Sequence, residues 1–104
     1  MEVKIFLVVQ EFIDDLDERT SAKVYKCIKL LKEFGKKLGP PYSKKVGDDL
    51  YELRGLGKIN VRLLYCFENN FAWILHGFIK KTNKIPKKEL VLAEKRKHNL
   101  RSDN

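Results

Sequence analysis

The 104-residue chain carries 22 Lys+Arg against 14 Asp+Glu, a formal charge of +8 and a pI near 9.5, with 43% hydrophobic and 35% charged residues. That length fits one domain, residues 1–104, with a modest core. No apolar run is long enough to span a membrane, and two cysteines, Cys27 and Cys66, without a Cys/His spacing exclude a disulfide scaffold or a zinc site.

The charge is not evenly spread. Residues 1–20 carry a net −4, whereas residues 21–77 and 78–104 each carry +6. An acidic entry followed by a basic remainder suits a directed surface for an anionic partner better than general solubility.

In chain order, Ile5, Val9, Phe12, Ile13 and Leu16 recur at helical spacing, which predicts a short helix, with an edge strand over 3–9 as the competing assignment. Thr20 and Ser21 are good N-caps for a second helix over Ala22–Phe34, whose stripe is Val24, Cys27, Ile28, Leu31 and Phe34 and whose C-cap is Gly35. The two helices form a hairpin that needs an apolar surface. Residues 36–49, broken by Gly39, Pro40 and Pro41, read as a basic surface crossing.

Three strands follow, Leu50–Leu56, Ile59–Phe67 and Phe71–Ile79, the last two joined by a type I′ turn at Asn69-Asn70. A regular ladder from that turn sets Leu63 opposite His76 and Arg62 opposite Gly77. His76 then faces the helices, while Arg62 shares the outer face with Lys81. After the meander, Pro86 suits the first turn of a short C-terminal helix marked by Leu90, Ala93 and Lys97. The expected class is α+β, with two N-terminal helices on a small antiparallel sheet.

Phosphate loops, nucleophile elbows and paired catalytic carboxylates are missing from the sequence. What remains is cationic. Arg54, Arg62 and Lys81 are positioned to converge on a phosphate, with Lys44, Lys45, Lys58, Lys80 and Lys84 as further backbone contacts. Pairing of the arginines with Glu52 or Glu68 is the competing reading. Glu52 and His76 are the candidate proton-transfer residues, although a core role suits His76 better on the regular register. Trp73 and Phe71 serve either base stacking or packing.

The runs LGPPYSKKVGDDLYELRG, VRLLY and LHGFIKKTNKIPKKEL, in this order, together resemble the HigB-like toxins of the RelE/ParE superfamily across roughly residues 30–95. The resemblance implies a RelE-like fold whose first strand is shortened or missing here. It also implies a cytoplasmic, ribosome-dependent endoribonuclease that cleaves translated mRNA without metal or cofactor. A helix-turn-helix antitoxin would neutralise it in a hetero-oligomer away from any membrane. Matching positions give Arg54, Arg62 and Lys81 as catalytic cations. Leu50 and Glu52 stand where RelE carries lysines, which leaves the general base unassigned. A ParE-like gyrase inhibitor and a non-catalytic basic binding module are the alternatives.

Overall fold

The computed structural model describes residues 1–55 and 57–102. The elements run β1 (Glu2–Ile5), α1 (Leu7–Asp14), α2 (Glu18–Phe34), β2 (Ser43–Gly47), β3 (Leu50–Gly55), β4 (Val61–Glu68), β5 (Phe71–Ile79) and α3 (Lys87–Ser102). The α+β class holds, with two N-terminal helices, a sheet and a C-terminal helix. The sheet is wider than the predicted meander and mixed, with five strands in the order β1-β5-β4-β3-β2.

Both additions come from segments where helix or loop signals dominated. Residues 2–5 form a strand that pairs in parallel with β5, so the first strand is present. Part of the predicted surface crossing is β2, antiparallel to β3, with Lys44 opposite Glu52. The predicted end of the first meander strand, Leu56, lies outside the described residues. Asp17, not Thr20 or Ser21, caps α2: its side chain accepts a hydrogen bond from the Thr20 backbone N–H at 3.2 Å. The Thr20 side chain first, and this backbone bond second, pull the Asp17 carboxyl below the usual carboxylate range. Gly35 follows as C-cap with φ of 55°, a value that suits glycine.

β4 is the centre, with Val61 through Cys66 all buried. On one sheet face Leu53, Leu63, Tyr65 and Ile74 meet Val9 and Ile13 of α1 and Val24, Ile28 and Leu31 of α2. On the other, Leu50, Leu64, Cys66, Leu75 and Phe78 pack with Ala93 of α3. The C-terminal helix is longer than expected, and charged groups hold its far end. Lys97 Nζ donates to the Asp48 carbonyl at 2.5 Å, and Arg101 pairs with Glu68 and Asp49.

Asn69 and Asn70 take φ of 52° and 67°, as a type I′ turn requires. The regular register then holds from Glu68↔Phe71 to Tyr65↔Ile74 and shifts by one, so that Leu64 faces His76, Leu63 faces Gly77 and Arg62 faces Phe78. Leu75 is the extra residue of a β-bulge. Beyond it the predicted sidedness reverses. His76 and Phe78 point to the α3 face, and Gly77 points to the helical hairpin. The physical reason is packing: a Cβ on Gly77 would lie 2.7 Å from the Phe12 ring of α1 and 3.0 Å from Leu63.

Gly77→Ala is therefore expected to overpack this contact and lower stability by about 1–3 kcal/mol. The check is a fall in the urea midpoint at unchanged m-value.

Candidate functional site: a cationic groove on the outer sheet face

The outer ends of β2, β3 and β5 and the loop into α3 enclose a groove of about 330 Å³ lined by Lys44, Glu52, Arg54, Lys80, Asn83 and Lys84, with Leu90 closing it from α3. Strand alternation fixes this membership. Lys44 and Glu52 are cross-strand partners, and Arg54 and Arg62 form the next pair on the same face. Four cations of the lining face a single carboxylate. Its size lies at the low end for ligand clefts, which suits one unit of a polymer lying across the surface.

Glu52 is the anchor. It is 1% exposed, and its Oε1 accepts from Arg54 Nε at 3.0 Å. Its Oε2 lies 3.3 Å from Arg62 Nε, off the hydrogen-bonding direction. A buried carboxylate beside two guanidinium groups keeps both at fixed positions, because removing either charge leaves the other uncompensated. The Arg54 side chain is 29% exposed and forms the groove wall, while that of Arg62 is 11% exposed and sits behind it. The competing sequence reading, in which the arginines pair with Glu52, is thus part of the observed geometry.

The bulge changes which lysine joins the groove. Phe78 is on the outer face, so Lys80, two residues on, lines the groove, and its N–H donates to the Asn60 carbonyl at 2.7 Å. Lys81, expected beside Arg62, is exposed and is not part of the lining. Lys45 pairs with Tyr51 on the opposite face. Lys58 lines a separate cavity with Arg19 and Lys23. Of the predicted residues, Glu52, Arg54, Lys44, Lys80 and Lys84 come together, with Arg62 directly behind.

His76 lies two strands from Glu52 with Leu64 between them. It sits under α3, with Nε2 3.3 Å from Glu89 Oε1 and Nδ1 3.3 Å from Arg96 Nη1, its ring stacked on Phe78. Burial first, and Arg96 second, push its pKa below the usual histidine value despite the opposing pull of Glu89. It is a partly buried packing residue on the opposite face from the one expected, and its Nε2 lies off the hydrogen-bonding direction to Glu89. Glu89 and Arg96 were missed from sequence. The signal was present, since both lie on the helical stripe that includes Ala93 and Leu100.

Trp73 packs edge-on against Phe6 at 5.9 Å, and the Lys4 ammonium lies 4.8 Å from the Phe71 ring centre. Both aromatics serve the β1–β5 edge. Cys27 and Cys66 are buried thiols outside any disulfide, and Cys27 Sγ donates to the Arg54 carbonyl at 3.1 Å. Burial raises the Cys66 pKa to about 11, which removes thiolate chemistry there near neutral pH. Among the described residues no His/Cys/Asp/Glu cluster suits a metal ion, and no helix is long and apolar enough to cross a membrane.

Residues 11–98 match the family described as Phage derived protein Gp49-like (DUF891). The chain belongs to this family. Gp49-like proteins form a RelE/toxin-like family associated with toxin–antitoxin systems, an association that implies an antitoxin partner. No curated protein matches the chain. The match covers every groove residue and leaves outside it β1, the first half of α1 and the last turn of α3.

Two outcomes follow for this Gp49-like chain. Glu52→Ala strands the Arg62 charge and is expected to lower stability by about 3 kcal/mol, with partial recovery in Glu52→Ala/Arg62→Met; urea denaturation of both variants is the measurement. For His76 the unfolded chain binds the proton more readily than the folded one, so acidification from pH 6.5 toward the lower folded pKa removes stability. Replacing His76 with Gln should flatten that part of the stability–pH curve.

Proposed function

We propose that the chain is the toxin of a type II toxin–antitoxin pair, an HigB-like endoribonuclease that cuts translated mRNA on the ribosome. The observation that carries this reading is the groove itself, where Lys44, Arg54, Lys80 and Lys84 surround the buried Glu52. A preorganised set of cations around a phosphodiester lowers the barrier for attack by the neighbouring 2′-hydroxyl, because negative charge grows on the phosphoryl oxygens in the transition state. The same hydroxyl explains a preference for RNA over DNA.

In this mechanism Arg54 and Lys80 hold the phosphate, and Lys44 and Lys84 guide the strand on either side. Arg62 acts as a positioning residue through Glu52. Arg54 keeps its Nε on Glu52 and offers the rest of its guanidinium to the phosphate. Glu52, the single carboxylate of the lining, accepts the 2′-hydroxyl proton as the 2′-oxygen bonds to phosphorus. The bond from phosphorus to the 5′-oxygen breaks, and water protonates that departing oxygen. The partner is a helix-turn-helix antitoxin in the cytoplasm, whose acidic residues cover the groove. The shared sheet under both hydrophobic clusters supports reading residues 1–104 as one domain.

The test is mapping of transcript 5′ ends after brief expression. Wild type should cut inside translated codons, and Lys80→Ala should reduce cutting on the order of 10²-fold. Lys81→Ala should leave most of it. DNA damage without cuts would instead identify a gyrase inhibitor, and neither effect would identify a binding module.

A further inference from the structure

A second cationic cavity, of about 160 Å³, lies on the helical side of the same sheet end. Its polar wall is Arg19, Thr20 and Lys23 of α2 together with Lys58 of the β3–β4 turn, and its floor includes Val24 and Val61. The three cationic residues are exposed. No carboxylate lines the cavity, and none pairs with these cations among the described residues.

This arrangement is costly without an anion. Arg19 and Lys23 are one helical turn apart, where like charges repel. The Lys23 side chain lies across Gly57, since a Cβ there would sit 2.9 Å from Lys23 Nζ. That brings its ammonium to the same turn as Lys58. The apolar floor keeps water away from one side and strengthens the combined field. The space exceeds the share of a single water, about 30 Å³, and admits a tetrahedral phosphate with part of its sugar.

Position ties the cavity to the groove. Gly55, Val61 and Ile79 are neighbours across β3, β4 and β5. The residue before Gly55 is Arg54 of the groove, and the residue after Ile79 is Lys80. The two cation sets therefore flank one sheet end, and the exposed Lys81 follows β5 there. Two neighbouring cation clusters that together hold a single carboxylate fit a polymer with one charge per unit better than a single acidic side chain.

We infer that the Arg19–Lys23–Lys58 cavity is a second phosphate subsite, which grips a neighbouring phosphodiester of the same single-stranded RNA that crosses the groove. The inference rests on the RNA-cleaving reading of the groove, and it assigns Lys23 and Lys58 to strand binding rather than to the reaction.

The experiment measures binding of the full chain to a 2′-O-methyl oligonucleotide, which lacks the nucleophile, across a salt series. One probe spans both sites and the other is a dinucleotide. Lys23→Gln/Lys58→Gln should weaken the long probe about tenfold and flatten its log–log salt slope by about 1.4, as expected for two lost single-strand contacts. Dinucleotide binding should not change. Wild-type affinity and slope for the long probe, or an equal loss with the dinucleotide, would overturn the subsite. So would a variant that loses only antitoxin binding. The two readings fail separately: a chain that needs Lys23 and Lys58 to bind RNA yet never cuts transcripts keeps the subsite and loses the nuclease. Transcript cutting that depends on Lys80, with unchanged long-probe binding in the double variant, does the reverse.

Discussion

One extra residue in β5 sets the sidedness of everything that follows it. Up to Ile74 the strand obeys the register of its hairpin, and from His76 on it is displaced by one. The driving contact is Phe12 against Gly77, where only a residue without a side chain lets α1 settle on the sheet. With Gly77 turned to the helices, His76 and Phe78 must turn to α3. Lys80 then reaches the groove in place of Lys81. A packing requirement in the hydrophobic core thus selects which cation stands beside Arg54.

The second constraint is electrostatic. Glu52 is almost wholly buried between two arginines, an arrangement that gives weak net stability but fixed positions. Without Glu52 the two guanidinium groups on adjacent strands would repel in a poorly solvated place. With it, Arg54 presents a fixed donor fork to the groove and leaves the remaining charge to the surrounding lysines. At the other end of the sheet, Asp49 and Glu68 are neutralised by Arg101, and α3 is clamped there. The groove lysines Lys44, Lys80 and Lys84, by contrast, have no ion-pair partner among the described residues.

Much of this was legible in the residues. The helical stripe of α2, the strands of the meander, the positive-φ asparagine pair and the inward period of Leu90, Ala93 and Lys97 are local patterns, and local patterns survive into the fold. Arg54, Lys44, Lys80 and Lys84 could be named as candidates because a basic residue among strand positions is conspicuous. β1 was legible only as the competing edge-strand assignment over 3–9, and β2 was not legible as a strand. β1 runs into a helix within two residues, and β2 is a lysine-bearing edge strand that pairs with β3 alone among the described residues.

The sequence by itself determined the α+β class, the hairpin turn, the excess of cations near the strand ends and the family signature. Each depends on spacing within a short stretch. Only the tertiary structure decided that His76 is buried under α3, that Lys80 replaces Lys81, and that Arg19, Lys23 and Lys58 meet in one cavity. Each of those depends on a contact between distant segments. A register with period two reverses every side chain for a shift of one residue, and the shift here is fixed by a phenylalanine more than sixty positions earlier in the chain.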